Sequence, residues 1–245
     1  MKADPAVQRR LLQLADVDAE LSRVEHRRRS LPELAEIAAA ELSVRAKRDA
    51  QVAVQTTLAD LDREVKRQEK EIDAVRARED RDRGLLTGGT VSAKQLTDLE
   101  HELATLERRQ STLEDDLLEL MERREAVELD GQHAGVELAK TEEALADAAR
   151  RRDEALADLD TTQARRDAER TKLVPAMPEP LLKLYDRVRA TKGIGAALLR
   201  ARRCGACRLE LDRSAISRIS AAPADEVLTC DECGAILVRT AESGL

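Results

Sequence analysis

Four cysteines are the residues of this sequence best suited to chemistry, and all of them lie in its last 42 positions. Cys204 and Cys207 form one C-x-x-C pair, Cys230 and Cys233 form the other, and 22 residues separate the pairs. Each C-x-x-C turn presents two thiolates from one tight loop, and two such turns complete the tetrahedral ligand set of zinc. Because four thiolates fill the coordination sphere, we predict one structural Zn2+ rather than a catalytic one.

Other uses of these cysteines, and other metal ligands, fit the sequence less well. Disulfides are rare in the cytoplasm, and a redox C-x-x-C is expected in a βαβ context that this sequence lacks. Gly205 and Gly234 suit the sharp backbone turns that the two loops require. His26, His101 and His133 are isolated in predicted helices, so we interpret them as solvent-facing side chains.

Short elements are predicted around the cysteines. Residues 194–199 have the pattern of a strand that leads into the first pair. Asp212 is placed to cap a short helix over residues 213–220. Residues 227–229 and 235–238 have the pattern of the strands of a zinc ribbon.

A cluster of basic residues precedes the first cysteine pair. Residues 183–209 contain eight Lys or Arg and a single acidic residue, Asp186. Arginine contacts phosphates well, so this segment is a candidate site for RNA or DNA. Because Tyr185 is the only aromatic residue, base stacking is excluded and binding would depend steeply on salt. The candidate residues are Lys183, Arg187, Arg189, Lys192, Arg200, Arg202, Arg203 and Arg208.

The first 174 residues position this tail and carry a sustained 3,4-spaced apolar repeat, which is typical of a coiled coil. A glycine cluster at residues 84–91 interrupts the repeat, and Ser92 with Gln95 forms a capping box that restarts a helix. Asp4 and Pro5 provide a cap and a first turn for the first helix. The pattern predicts two helices folded back as an antiparallel hairpin, a rod on the order of 120 Å long.

Two further predictions concern this hairpin, namely a break in its first helix and the register in which its two helices pair. Proline removes a backbone donor and clashes with the preceding turn, so we expect a kink or break near Pro32. The polar positions of the repeat suggest a register in which Gln68 faces Gln110 and Lys47 faces Gly131.

Composition supports the same architecture. Charged residues make up 37% of the chain, and Phe and Trp are absent, so a compact core of ordinary size is not expected. We predict a mainly α protein with a coiled-coil hairpin at residues 1–174, a linker with a short helix at 175–195 and a C4 zinc ribbon at 196–245. Because the ribbon is small, zinc would supply much of its folding energy.

The sequence also predicts the cellular compartment of the protein. No stretch approaches the roughly 20 apolar residues that span a bilayer, and the N-terminus has no apolar signal-peptide region. We therefore expect a cytoplasmic protein without a membrane partner.

Together these features resemble the bacterial C4-type zinc-ribbon family that carries an N-terminal coiled-coil hairpin. The similarity covers nearly the whole chain. It rests on the segment after the tip, residues 92–96 and 99–102, on the linker helix at 181–185, and on the ribbon motifs at 204–207 and 230–237.

The resemblance implies an adaptor or chaperone rather than an enzyme. Some relatives are linked to flagellar or type III secretion assembly, through protein partners and possibly RNA. Ala235 and Val238 depart from an arginine and a tyrosine that are more usual in the family, which weakens an inherited basic patch.

Two function classes follow from these observations. The first is a zinc-binding adaptor whose coiled coil contacts protein partners, and the alternative is an RNA- or DNA-binding protein that uses the basic segment. An enzyme is not expected, because the sequence shows no nucleophile–base pair and residues 84–89 lack the Gly-Lys-Ser/Thr ending of a phosphate-binding loop. No small-molecule substrate is expected either.

Overall fold

Three helices form most of the chain. The computed structural model describes residues 1–89 and 92–245, so Thr90 and Val91 of the predicted tip lie outside the described residues. Helix α1 spans Pro5–Arg29, α2 spans Pro32–Thr87 and α3 spans Ala93–Leu173. The predicted hairpin of long helices is confirmed.

The helices begin and break at the residues that the sequence indicates. Asp4 accepts a hydrogen bond from the Ala6 backbone N–H at 2.7 Å, with Pro5 in the first turn of α1. The backbone N–H of Ser92 donates to Gln95 Oε1 at 2.9 Å, and the N–H of Gln95 donates back to Ser92 Oγ at 3.4 Å. The predicted break near Pro32 is also confirmed, because α1 ends at Arg29 and α2 begins at Pro32.

A short helix and a small sheet follow. Helix α4 spans Glu179–Lys192 and ends at Gly193, whose φ is 80°. The strands are β1 (Ala196–Arg200), β2 (Arg203–Cys204), β3 (Leu228–Thr229) and β4 (Ile236–Val238), and helix α5 (Arg213–Ala221) lies between β2 and β3 in the chain. The sheet order is β2-β1-β4-β3, with β1 and β4 parallel and the outer strands antiparallel to their neighbours.

The chain forms two compact units. One consists of Met1–Leu34 together with Arg150–Leu245, and the other is Ala35–Ala149. The domain boundaries that the sequence suggests after residues 174 and 195 follow helix and strand limits rather than these units, and they stay a prediction.

The first unit has a core that the sequence did not indicate. Leu11 and Leu14 of α1 pack with Leu181 and Tyr185 of α4 and with Ile236 of β4, and all five side chains are almost fully buried. The ribbon therefore gains apolar burial from α1 and α4 in addition to whatever a metal contributes, and α4 is a packed element of this unit.

A buried polar cluster joins the helices of this unit. Asp18 of α1 is 2% exposed and accepts a hydrogen bond from Tyr185 Oη at 2.8 Å. The same carboxylate receives Arg170 Nε of α3 at 2.9 Å and lies 3.2 Å from Arg189 Nη1 of α4. Burial raises the pKa of Tyr185, so this hydroxyl stays a donor. One carboxylate thus ties α1, α3 and α4 together.

In the second unit α2 and α3 pair along an apolar seam, but the predicted register is wrong. A Cβ at Gly131 would lie 3.3 Å from Val54 Cγ1, while Lys47 Nζ contacts Glu137 Oε2 at 3.0 Å. Gln68 donates to the Leu113 carbonyl at 3.2 Å and does not pair with Gln110. The error is about one heptad, and an apolar heptad pattern is nearly unchanged by such a shift.

Candidate metal centre

The four cysteines meet in one cluster. Cys204 ends β2, Cys207 follows in the same turn, and Cys230 and Cys233 lie in the turn between β3 and β4. The four Sγ atoms all lie within 4.8 Å of one another. Cys204 Sγ is 3.8 Å from Cys233 Sγ, and Cys207 Sγ is 3.9 Å from Cys230 Sγ. The sheet therefore brings together the two pairs that the sequence separates.

The two cysteine turns share one pattern of backbone hydrogen bonds. In the first, the N–H of Arg208 donates to the Cys204 carbonyl at 2.8 Å, and the N–H of Cys204 donates to the Leu209 carbonyl at 3.0 Å. In the second, the N–H of Gly234 donates to the Cys230 carbonyl at 2.8 Å, and the N–H of Cys230 donates to the Ala235 carbonyl at 2.9 Å. The same loop geometry is thus built twice.

The two glycines of these turns serve different purposes. Gly234 has a φ of 75°, the left-handed conformation that glycine adopts without strain. Gly205 does not have a positive φ, but a Cβ there would lie 2.7 Å from the Leu198 carbonyl oxygen. Gly205 is therefore required by the close approach of β1. In the first turn the left-handed position belongs to Arg208, with a φ of 63°.

The surroundings of the thiols are partly apolar. Cys204 and Cys230 are buried and pack in a cluster with Leu199, Leu237 and Ile219. Burial raises the pKa of Cys204 to about 12 and raises that of Cys230 as well. A hydrogen bond from the Leu209 backbone N–H lowers the pKa of Cys207. Metal binding at this cluster therefore requires displacement of thiol protons and depends on pH.

The geometry fits a tetrahedral zinc ion. Zinc–sulfur bonds of about 2.3 Å in a tetrahedron place the sulfurs about 3.8 Å apart, which matches the separations of 3.8 Å and 3.9 Å between the two cross-turn pairs. Cys204, Cys207, Cys230 and Cys233 are thus the residues that would hold the ion, and all four positions would be sulfur. Among the described residues they are the one group of three or more His, Cys, Asp or Glu close enough to share a metal.

Most of the candidate residues in the predicted basic segment have a partner within the chain. Of the eight candidate residues, Arg189 is committed to Asp18. Four more have partners: Lys183 with Glu179, Arg200 with Glu242, Arg202 with the Gly244 carbonyl, and Arg203 with Glu210. Arg187, Lys192 and Arg208 are exposed and have no partner among the described residues. Their role in binding nucleic acid stays a prediction.

Sequence reasoning missed a basic residue with a clear structural role. The guanidinium of Arg239 donates to the carbonyls of Ile219 and Ala222 at 3.1 and 2.7 Å, at the C-terminus of α5. It also donates to the Pro223 and Glu226 carbonyls in the loop before β3. A lone arginine after a strand carries no spacing signal, so only the folded chain identifies this role.

The three histidines lie outside the metal centre. His26, His101 and His133 are exposed and lie apart from the cysteine cluster in the chain, as expected. Among the described residues, none of the helices combines the length and apolar character needed to cross a bilayer.

Comparisons with known proteins cover both parts of the chain. A family model described as CT398-like coiled coil hairpin domain matches residues 14–193, and one described as C4-type zinc ribbon domain matches residues 203–237. A protein of Mycobacterium tuberculosis (strain ATCC 25618 / H37Rv) is 47% identical over 239 residues, which is 98% of each chain. A protein of Mycobacterium leprae is 38% identical over 225 residues, 91% of this chain and 96% of its own.

Solved structures show the same architecture. A structure from Mycobacterium smegmatis has a TM-score of 0.86 at 44% identity and covers 98% of this chain and 100% of its own. The structure of CT398 from Chlamydia trachomatis has a TM-score of 0.67 at 17% identity, with 95% and 97% coverage, and it is informative about the fold alone.

Proposed function

The chain belongs to the family of CT398-like coiled-coil hairpin proteins that carry a C4-type zinc ribbon, and on that basis we propose that it is a non-enzymatic adaptor. In this proposal the hairpin of α2 and α3 contacts protein partners. One structural Zn2+, held by the four cysteines, stabilises the ribbon. A reducing compartment such as the cytoplasm is part of the proposal, because the zinc ligands must be free thiolates.

One observation carries the proposal. In the unit Ala35–Ala149, seven large apolar side chains are about half exposed or more, although the seam already buries leucine, valine and isoleucine residues. Single exposed apolar side chains are ordinary on a protein surface, whereas neighbouring ones such as Leu118 and Met121, three positions apart on α3, form a patch that another protein can cover. The seven side chains are Leu42, Val52, Leu85, Leu118, Met121, Leu129 and Val136.

The cysteine cluster supports a structural rather than catalytic ion. A catalytic zinc keeps one coordination position for water or substrate, whereas four thiolates close the site. The ribbon surrounds the cluster with Leu199, Leu237 and Ile219, which favours a structural role.

Binding of RNA or DNA is the second candidate. Its support is the set of three exposed basic residues without a partner among the described residues, Arg187, Lys192 and Arg208. Such an interface would be electrostatic and would weaken steeply with added salt. Of the other five candidates, Arg189 is held by the buried Asp18, whereas the exposed ion pairs of Lys183, Arg200 and Arg203 would compete only weakly with phosphate.

Affinity capture of the full chain at low salt, with and without nuclease, tests the proposed function. An adaptor retains a specific protein after nuclease treatment. It also retains that protein when Cys230 and Cys233 are both changed to Ser, because the contact lies on the hairpin. Loss of every associated protein on nuclease treatment would favour the nucleic-acid alternative. Arg187, Lys192 and Arg208 changed together to Ala should then abolish the association.

A further inference from the structure

The side of the hairpin contains a groove with acidic walls and an apolar floor. It has a volume of about 370 Å³ and lies between α2 and α3. Ile72 (3% exposed) and the half-buried Leu117 form the floor, and Glu69 and Asp73 line the α2 side. Arg76 pairs with Glu114 across the groove at 2.6 Å. Glu69 and Asp73 are exposed and have no partner among the described residues.

The groove continues into an apolar strip on α3. Residues three and four positions apart lie on one face of a helix, so Glu114, Leu118, Met121 and Glu125 form a single face. Leu118 is 59% exposed and Met121 is 50% exposed. Because Glu114 lines the groove, these two side chains extend its apolar surface along α3. We name the groove together with Leu118 and Met121 the acidic-apolar face.

The charges around this face indicate what kind of partner it can bind. On α3, residues 114–130 contain eight acidic residues and two arginines, and Arg124 is already paired with Asp62 and Glu128. On α2, Lys66 and Lys70 lie beside Glu69 and Asp73, so the acidic excess of the face comes from α3. A second copy of this chain that docked through the same face would bring like charges together, which is unfavourable. A helix with apolar residues on one side and lysine or arginine along its borders would match both the apolar strip and the free carboxylates.

We propose that the acidic-apolar face binds a basic amphipathic helix of a partner protein. Apolar side chains of that helix cover Leu118 and Met121 and enter the groove above Ile72 and Leu117. Its basic side chains pair with Glu69 and Asp73. This proposal deepens the adaptor function and rests on it.

The test measures binding of two labelled synthetic helices to the full chain by fluorescence anisotropy. Both have about 18 residues, or about 27 Å of helix, and the same leucine spacing. One carries lysine and the other glutamate at the polar positions. We expect the lysine helix to bind in a salt-sensitive manner and the glutamate helix not to bind. Equal binding of the two helices would contradict the proposal.

Paired variants locate the binding. Leu118→Ala with Met121→Ala, and separately Glu69→Gln with Asp73→Asn, should each weaken binding of the lysine helix about tenfold. Two control pairs, exposed and outside the face, should change it less than about twofold. The apolar control is Ile194→Ala with Leu245→Ala, and the charge control is Asp49→Asn with Glu143→Gln. Helical content and melting temperature, measured for every variant, exclude unfolding as the cause.

The variants also separate this proposal from the adaptor function. If control pairs and face pairs weaken binding equally, or if the face pairs have no effect, the acidic-apolar face is not the docking site. A nuclease-resistant protein that the full chain still retains with the face pairs in place would likewise exclude this face as the docking site, while leaving the adaptor function intact.

Discussion

At the scale of single residues, the two cysteine turns need the same left-handed backbone conformation at one position, but a different residue type occupies that position in each turn. The residue after the second cysteine has a positive φ in both turns, 63° at Arg208 and 75° at Gly234. Glycine adopts this conformation without strain, whereas for a residue with a Cβ it costs about 1 kcal/mol. The first turn is therefore strained at Arg208.

This strain predicts that substitutions at the two equivalent positions, Arg208 and Gly234, change the free energy of unfolding in opposite directions. Arg208→Gly should raise the free energy of unfolding of the zinc-loaded protein by up to about 1 kcal/mol, because it removes strain and no internal contact. Gly234→Ala should lower it by a similar amount, since a Cβ there meets no atom within 4 Å and only the conformation suffers. Denaturant titration measures both, and destabilisation by Arg208→Gly would contradict the shared geometry.

The buried carboxylate of Asp18 gives a second prediction at this scale. Tyr185→Phe removes one hydrogen bond and should cost about 1 kcal/mol of unfolding free energy. Asp18→Ala should cost more, about 3 kcal/mol, because it leaves Arg170 and Arg189 without their shared partner in a largely buried site. Thermal denaturation of both variants and of the double variant tests the coupling. Strictly additive losses would show that the hydroxyl and the carboxylate act independently.

At the scale of elements, the N-terminal segment forms part of the ribbon unit. The N–H of Ala3 donates to the Asp225 carbonyl at 2.7 Å, and the N–H of Val227 donates to the Met1 carbonyl at 3.0 Å. The buried Gln8 side chain donates to the Ala3 carbonyl at 2.9 Å and to the Ala224 carbonyl at 3.3 Å. The start of the chain is therefore held against the loop that leads to β3.

Removal of residues 1–3 should destabilise this loop specifically. We expect faster hydrogen exchange of the Val227 amide, whose acceptor is lost. Lys2→Ala is the matched control, since it removes only an ion pair whose side chains are 72% and 43% exposed, and such pairs contribute little. Unchanged exchange after the truncation would show that these backbone contacts do not stabilise the ribbon.

The pairing of α2 with α3 can be tested by crosslinking. Cysteines introduced at Val54 and Gly131 should join under mild oxidation, because a Cβ at Gly131 lies 3.3 Å from the Val54 side chain. Cysteines at Lys47 and Gly131 should not join, although the apolar repeat alone suggests that pairing. Mass spectrometry of the zinc-loaded protein identifies the bonds. The reverse result would restore the register expected from the sequence.

At the scale of the whole molecule, local signals made much of the architecture predictable. The spacing of Cys204, Cys207, Cys230 and Cys233 indicates a four-thiolate site, and the heptad repeat with the capping box at Ser92 indicates the hairpin. Pro32 and Asp212 mark helix limits that the structure contains. Each of these signals is a short spacing, within one C-x-x-C pair, one heptad or one cap, although the two cysteine pairs themselves lie 22 residues apart.

Other features depend on residues far apart in the chain, so no local pattern reveals them. Leu11 and Leu14 have the spacing of ordinary positions in an apolar repeat, yet they pack against Tyr185 and Ile236. Register was missed because a heptad pattern does not distinguish shifts of one repeat. The sequence suggests that Arg189 is free to bind nucleic acid, whereas the structure places it against the buried Asp18 carboxylate.

Zinc K-edge X-ray absorption of the protein purified under reducing conditions can establish whether the ribbon is built on a closed, non-catalytic metal site. We expect one zinc per chain surrounded by four sulfurs at about 2.3 Å, and loss of the metal when Cys230 and Cys233 are both changed to Ser. A shell of three or fewer sulfurs completed by oxygen or nitrogen would refute a closed site, because it would leave the metal an open position.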